Sequence, residues 1–415
     1  MTVIWGILKI IILLGTLVTI HELGHFLVAK ACNVKVLKFA IGFGPKIFSK
    51  VKGETEYALR AIPFGGFVQM EGEDTQSEDE RAFHRKPIWQ RMLIIVAGAT
   101  VNILFALVLY FGICASTNVY MSTIIENVDV TSAAYEAGLR SGDKIISVNG
   151  KNVVNKTDVT NAIGNSKTDD VVFEIERDGE RKKIVITIPE EQIGMVGVGF
   201  STDAEIVYIQ AGGAAQNAGL LVGDKVVSVN GERGLSAAEY TDRIKASANT
   251  AMDFVIEREG EEKVFSVIPE ARSVKIFDVD YKILRGLSFG ENSYYAINET
   301  KYYFRETIKA FVSLLGGKAE NAEVMGPVGI AGEITKTEDF VDFFYMMSAI
   351  SFSLGIFNLL PIPGLDGGKF LFLLIEWIRK KPMKEKTEVS WQLAGFALII
   401  MMAIMVTVKD VVNLF

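Results

Sequence analysis

The chain has 415 residues, of which 49% are hydrophobic, and a net charge of −7 at neutral pH. This apolar content and the positive mean hydropathy of +0.28 exclude an ordinary soluble enzyme and indicate a membrane protein. The sequence has no basic stripe typical of a nucleic-acid surface, so nucleic acid is not an expected partner. Its two cysteines, Cys32 and Cys114, are too few for a disulfide framework or a cysteine zinc site.

Four apolar runs are each long enough, at about 20 residues, to cross a bilayer as a helix. The first run lacks the basic start and small-residue cleavage site of a signal peptide, so we expect it to be retained. Lysine and arginine concentrate between the first two runs and between the last two, which predicts that both of these segments face the cytoplasm. The long stretch between the second and third runs is then extracytoplasmic.

The boundaries follow from these runs and from the motifs described below. The predicted segments are the first span at 1–30, a cytoplasmic-side loop at 31–91, the second span at 92–115, a first module at 116–192, a second module at 193–272, a linker with an interfacial amphipathic helix at 273–341, the third span at 342–368, a cytoplasmic link at 369–388 and the fourth span at 389–415.

The first run contains the motif H-E-x-x-H, with His21, Glu22 and His25 as its defining residues. Residues four apart lie on one face of a helix, so both imidazoles can bind a single metal ion, for which zinc is the natural choice. Glu22 can accept a proton from a metal-bound water. Ionisable residues in an apolar span cost roughly 2.5 to 3.5 kcal/mol each, which favours a metal site over histidines that only hydrogen-bond neighbouring helices. The motif predicts a zinc hydrolase.

Residues 51–72, in the loop after the first run, have the alternation typical of strands. The stretch from Ile62 to Met70, with Gly65 and Gly66 at its centre, is apolar enough to touch the membrane but too short to cross it. We expect a β-hairpin that dips toward the active site.

The stretch between the second and third runs contains an internal repeat with an offset of 81 residues. Ala137-Gly138-Leu139 recurs as Ala218-Gly219-Leu220, and each copy continues with a Gly-Asp pair and a Val-Asn-Gly turn. Alternating strands follow each turn, which predicts two small, mostly β modules. Residues 294–315 then alternate aromatic and charged residues at helical spacing, as in an interfacial helix or a helix packed on the second module.

The third run ends in N-L-L-P-I-P-G-L-D-G-G, which begins at Asn358 and places an acid at Asp366. Zinc hydrolases use three protein ligands and keep one position open, and Asp366 is the best candidate for the third ligand. Prolines and glycines here expose backbone at membrane depth, which is tolerated around a cavity. Asn358 either donates a hydrogen bond to the substrate carbonyl or oxyanion or bridges two helices, and Asn102 in the second run has the same two alternatives.

The repeated pattern A-G-L-x-x-G-D resembles bacterial PDZ domains, which bind extended peptides at a sheet edge. The modules would bind peptides or filter substrates by size. Alternatively, they would only separate the two membrane-embedded halves of the chain or shield the active site. With H-E-L-G-H in the first run and N-L-L-P-I-P-G-L-D-G-G in the third, the chain resembles the bacterial site-2 proteases of the RseP type, intramembrane zinc metalloproteases of peptidase family M50.

The resemblance implies a polytopic α-helical membrane protein with four transmembrane helices, a membrane-reentrant β-hairpin and two extracytoplasmic PDZ domains, located in the inner membrane of a bacterium and in contact with lipid. Its substrates would be single-span membrane proteins, such as anti-sigma factors or remnant signal peptides. The implied residues are His21, His25 and Asp366 for zinc, Glu22 as general base, and Asn358, Pro361, Pro363, Gly65 and Gly66 beside the substrate. Lys369, where many relatives have histidine or arginine, is interpreted as a surface variation.

Two other interpretations remain open. A catalytically idle membrane scaffold would gather extracytoplasmic peptides through its PDZ modules, although the intact Glu22 argues against it. A membrane-anchored protease would instead cut soluble proteins. Zinc content and the depth of the cleavage site distinguish these alternatives.

Overall fold

A computed structural model describes residues 2–73, 77–210, 212–315, 327–337, 339–381 and 385–412. The chain forms two compact units, Met1–Thr117 with Val324–Phe415, and Asn118–Glu323. The first unit begins with helix α1, strands β1 and β2, a short 3₁₀ turn and helix α2. Their bounds are Thr2–Ala31 for α1, Val36–Lys52 for β1, Thr55–Met70 for β2, Phe83–Arg85 for the turn and Ile88–Thr117 for α2.

Helices α1 and α2 are apolar on all sides, as expected of helices surrounded by lipid. Trp5–Ala31 and Ile88–Thr117 are both long and apolar enough to cross a membrane. Their backbones approach closely at Gly24, where an added Cβ would lie 2.6 Å from the carbonyl oxygen of Ala97. Small residues at such a crossing allow tight helix packing where no hydrophobic effect drives it.

Strands β1 and β2 pair along their whole length and fold back on themselves. Val36 pairs with Met70 at one end and Lys52 with Thr55 at the other, and residues 38–41 pair both with residues 66–69 and with residues 56–59. Glu54, in the turn between the strands, accepts hydrogen bonds from Arg81 at 2.6 and 2.7 Å and from Lys30 at 2.6 Å. Arg81 first and Lys30 second lower the pKa of Glu54 to about 2. These charges fasten the hairpin turn to the end of α1.

The second unit is mostly β, with short helices and one long helix at its end. In chain order it comprises β3 (Val119–Val128), α3 (Ala133–Glu136), β4 (Lys144–Val148), β5 (Lys151–Asn152), α4 (Lys156–Gly164), β6 (Asp170–Arg177), β7 (Glu180–Thr187), β8 (Glu190–Met195), β9 (Val198–Phe200), β10 (Ile206–Ile209), α5 (Ala214–Asn217), β11 (Lys225–Val229), β12 (Glu232–Arg233), α6 (Ala237–Lys245), β13 (Met252–Arg258), β14 (Glu261–Val267), β15 (Glu270–Lys275), β16 (Val279–Arg285) and α7 (Phe289–Leu315).

Two modules with separate hydrophobic cores make up this unit. The repeat is visible in a shared ion pair, because Asp143 accepts two hydrogen bonds from Arg177 and Asp224 accepts two from Arg258, all at 2.6–2.7 Å. Both aspartates are buried. Each arginine also caps the glycine turn of the motif by donating to its carbonyl oxygen.

The second module is inserted into the first. Strand β16, which follows the second module, pairs with β3 and completes the sheet of the first module in the order β16-β3-β4-β6-β7. The strands that lead into and out of the second module, β8 and β15, pair with each other from Glu190–Lys275 to Met195–Glu270. The segment 273–341, interpreted above as a linker, therefore contributes a strand to the first module.

Helix α7 also packs on the first module. Glu299 accepts a hydrogen bond from Asn155 at 2.8 Å, and Arg305 donates to Asp158 at 2.8 Å. Its buried face includes Ala296 and Phe304.

The first unit resumes with four helices, α8 (Pro327–Lys336), α9 (Phe340–Leu359), α10 (Asp366–Arg379) and α11 (Glu385–Val412). In the described residues, Phe340–Leu359 is the third helix long and apolar enough to cross a membrane, and a shorter apolar stretch, Ser390–Met405, lies in the fourth predicted span. Helix α9 ends at Leu359, earlier than the predicted boundary at 368. Pro361 lacks an N–H and holds Leu360 in extended backbone, which ends the helix.

Candidate metal centre

The two histidines of the H-E-x-x-H motif lie one turn apart on α1, with their rings edge to face and 4.8 Å between centroids. Their Nε2 atoms face each other at 3.2 Å. On the opposite side of its ring, His25 donates its Nδ1–H to the carbonyl oxygen of Ile94 at 2.8 Å. A carbonyl cannot donate, so this bond leaves Nε2 of His25 unprotonated in the neutral imidazole and able to bind a metal ion.

Helix α2 packs directly against the two histidine rings, which is possible because Gly98 has no side chain. A Cβ at this position would overlap the imidazole of His25 and would lie 2.8 Å from Cε1 of His21. Gly24 lets α1 come this close, as described above. The glycine within H-E-L-G-H thus has a packing role.

Asp366 is the first residue of α10 and follows a tight turn after α9. The turn places the end of α9 against α10 so closely that a Cβ at Gly367 would overlap the carbonyl oxygens of Leu359 and Leu360, and one at Gly368 would lie 2.8 Å from Cα of Pro363. The D-G-G sequence therefore allows the chain to reverse immediately after the carboxylate. A negative side chain in the first turn is also favoured by the helix dipole.

The carboxylate oxygen Oδ2 of Asp366 lies 3.3 Å from Nε2 of both His21 and His25. It is buried and forms no hydrogen bond with any described residue. Zinc bound at about 2.0–2.1 Å in tetrahedral geometry requires its donor atoms to be about 3.3 Å apart. The three atoms have this spacing, and a cation between them would satisfy the buried oxygen, so the donor set fits a zinc ion.

Glu22 lines the same cavity as these three residues, and the cavity has a volume of about 190 Å³. Its other lining residues are Gly66, Phe67, Val68, Met70, Glu73, Ile95 and Lys369. Gly66 lies directly against Glu22, since a Cβ at Gly66 would be 3.0 Å from Cγ of Glu22. The general-base candidate therefore shares the cavity with the three candidate metal ligands and contacts strand β2.

The cavity wall on the side of β2 is an unpaired strand edge. Residues 66–70 pair with residues 36–41 on one side. In the part of the chain that the structure describes, no other strand pairs with them. Gly66, Phe67, Val68 and Met70 of this edge strand line the cavity together with Glu22.

Other predicted substrate residues lie elsewhere. Asn358, Pro361 and Pro363 are not among the residues that line the cavity. Pro363 packs against α11, where a Cβ at Gly395 would overlap its carbonyl group. Gly65 has a φ of +80° and lies against the ring of Phe43, so it supplies the bend that precedes the cavity strand.

Two charged residues at the cavity were not identified from the sequence. Lys369, interpreted above as a surface variation, lines the cavity and donates to Glu73 at 2.9 Å. The position of Lys369 one turn after Asp366 is the signal that indicates its proximity. Nothing in the sequence pairs it with Glu73, which is 296 residues away.

Residues 9–402 match the sequence profile of peptidase family M50. The zinc metalloprotease RasP of Geobacillus kaustophilus is 31% identical over 440 residues, which cover 99% of this chain and 98% of the relative. Protease RseP of Yersinia pestis is 29% identical, with 97% of this chain and 98% of that protein covered. The regulator of sigma-E protease RseP of Escherichia coli is 27% identical, with 97% of each chain covered.

Proposed function

Because the chain belongs to peptidase family M50 and is a zinc metalloprotease of the site-2 type, we propose that it hydrolyses peptide bonds inside the transmembrane segments of single-span membrane proteins. The observation that carries this proposal is the convergence of His21, His25 and Asp366 on one point beside Glu22. Both histidines belong to a helix long enough to cross the bilayer. A cleavage site at membrane depth follows from that position.

Each residue has a distinct role in the proposed reaction. His21, His25 and Asp366 would hold zinc, which would act as a Lewis acid and make a water molecule at the site easier to deprotonate. Glu22 accepts the proton of the attacking water and passes it to the amine of the leaving peptide. The hydrogen bond from His25 to Ile94 keeps Nε2 of that histidine free for the metal throughout.

The free edge of β2 provides a place for the substrate backbone. A helix must unwind before its peptide bond can be attacked, and each unpaired backbone group costs several kcal/mol in a bilayer. An extended substrate that pairs with residues 66–70 recovers these hydrogen bonds and presents its carbonyl to Glu22. We assign Gly66 to this contact and Gly65 to the bend before it. Asn358, Pro361 and Pro363, which the resemblance places beside the substrate, do not line the cavity and have no part in this pairing.

The charge distribution supports an inner-membrane protein with the catalytic site toward the cytoplasm. The segments 31–91 and 369–388 carry most of the flanking lysine and arginine. With a fourth span at 389–415, the two modules would be extracytoplasmic and the β1–β2 hairpin would enter the membrane from the cytoplasmic side. This arrangement suits substrates such as anti-sigma factors or remnant signal peptides.

We interpret the two modules as PDZ domains that bind peptides or exclude bulky ectodomains. The second module has strand β9 at the edge of a two-stranded sheet, which is the kind of edge that accepts an added strand. Because Glu190 pairs with Lys275, residues 191–274 can be replaced by a two-residue turn. A size filter predicts that this deletion allows cleavage of substrates with large ectodomains, whereas peptide binding predicts slower cleavage of all substrates.

The experiment that tests the proposed activity compares the full-length wild type with Glu22→Gln in proteoliposomes. Both proteins should contain one zinc ion, and cleavage of a single-span substrate should fall by at least about 1,000-fold in the variant. A catalytically idle scaffold would contain no zinc, and neither the wild type nor Glu22→Gln would cleave the substrate. Cleavage of a soluble peptide but not of the embedded substrate would favour the membrane-anchored protease.

A further inference from the structure

Asn102 is a fully buried polar residue on α2 that contacts the metal centre from behind. Its exposure is 0%, and its Nδ2 lies 3.4 Å from Nδ1 of His21. Its Oδ1 is buried without a hydrogen-bond partner among the described residues. A buried amide oxygen that accepts no hydrogen bond is unfavourable. The orientation of the Asn102 amide beside His21 therefore requires an explanation.

The hydrogen-bonding requirements of His21 explain how the Asn102 amide should be oriented. Nε2 of His21 is the atom that faces His25 and Asp366, so a neutral His21 that binds metal there must carry its proton on Nδ1. An Nδ1–H needs an acceptor, and the NH₂ group of Asn102 is a donor. Rotation of the amide by half a turn places Oδ1 against Nδ1–H within the same volume. This rotation removes both the donor–donor contact and the unpaired oxygen.

We propose that Asn102 Oδ1 accepts the Nδ1–H of His21 and thereby fixes the tautomer and the ring orientation that zinc binding requires. Asn102 is then a positioning residue that corresponds to the role of the Ile94 carbonyl for His25. It does not contact substrate, because it is fully buried and does not line the cavity. The inference rests on the proposed zinc site at His21, His25 and Asp366.

The surrounding packing holds Asn102 in place. Gly98, one turn earlier on α2, brings the same helix face against the imidazoles. The backbone carbonyl of Asn102 accepts a hydrogen bond from Ser351 on α9 at 2.9 Å, and the carbonyl of Ala106, one turn later, accepts one from Ser348 at 3.0 Å. Gly355 of α9 also packs directly against Ala99 and Ile103 of α2, so close helix packing fixes the amide and no single serine bond is required for it.

The test measures zinc affinity of the detergent-solubilised full chain by competition with a chelator, and thermal unfolding of the zinc-free protein. Asn102→Leu keeps the branched side-chain shape but removes the acceptor, so zinc affinity should fall about 10- to 100-fold. Asn102→Asp keeps an acceptor and should remain within about threefold of the wild type. Ser351→Ala removes a helix–helix hydrogen bond at the same depth and should not change zinc affinity.

A purely structural role predicts a different pattern, in which Asn102→Leu and Ser351→Ala destabilise the zinc-free protein alike and neither weakens zinc binding. The inference would be overturned if Asn102→Leu bound zinc with wild-type affinity. It would also be overturned if Asn102→Asp lost as much zinc affinity as Asn102→Leu. The variant His21→Ala separates a failure of the zinc site from a failure of the role proposed for Asn102. If His21→Ala leaves zinc affinity unchanged, the proposed zinc site is wrong. If His21→Ala loses zinc affinity and Asn102→Leu does not, only the role of Asn102 is wrong.

Discussion

Replacing Gly98 by alanine should strongly weaken zinc binding, although alanine favours the helix. In an exposed helix, alanine is more stable than glycine by about 1 kcal/mol. At Gly98, however, the new Cβ would lie 2.3 Å from Nε2 of His25 and 2.8 Å from Cε1 of His21, where ordinary contact begins at 3.4 Å. The imidazole of His25 must therefore move by about 1.1 Å, which exceeds the roughly 0.2 Å tolerance of metal–ligand distances.

The matched control is Gly112→Ala on the same helix, because no described heavy atom lies within 4 Å of a Cβ at Gly112. Both variants should fold, and helicity should be unchanged or slightly higher. Zinc affinity, measured by chelator competition, should fall by at least about 100-fold in Gly98→Ala, more than the loss of an orienting contact causes, and should be unchanged in Gly112→Ala. Wild-type zinc affinity in Gly98→Ala would refute the geometric reasoning.

Three further predictions concern other parts of the chain. Asp366→Ala should remove measurable zinc binding and activity together, as shown by metal analysis and cleavage assay, and retained zinc would exclude Asp366 as a ligand. Arg177→Met leaves the buried Asp143 without its partner and should lower the unfolding free energy of the first module by about 3 kcal/mol in denaturant titrations, whereas the exposed Arg181→Met should change it by less than about 0.5 kcal/mol. Glu54 has a folded pKa of about 2, below its ordinary 4.5, so its ion pairs stabilise the protein above about pH 4.5 and are lost as the pH falls toward 2. The difference in melting temperature between wild type and Glu54→Gln should shrink over that range, and a constant difference would contradict the assignment.

The sequence predicted the zinc-metalloprotease class and the membrane environment because both depend on local patterns. The H-E-x-x-H spacing needs only one helix, and apolar runs need only their length. The proximity of Asp366 to the histidines is only a hypothesis at the level of sequence, based on the need of a zinc hydrolase for a third protein ligand. The structure brings the three side chains together, through a turn that the prolines and glycines make possible.

Other features depend on contacts between residues far apart in the chain, which no local pattern encodes. Strand β16 has the same alternation as any strand, so nothing in it indicates that it pairs with β3, about 160 residues earlier. The role of Gly98 behind the histidines likewise depends on how α2 packs against α1. The ion pair between Lys369 and Glu73 joins a helix to the end of a hairpin, and its residue types are common on surfaces.

The position of the cleavage site tests the central claim most directly. Wild-type protein in proteoliposomes would be given a single-span substrate, and the products would be mapped by mass spectrometry, with Glu22→Gln as the negative control. We predict a single cut inside the apolar span, nearer its cytoplasmic end, that requires Glu22 and zinc. Cleavage confined to residues outside the span, or cleavage that persists in Glu22→Gln, would contradict the account.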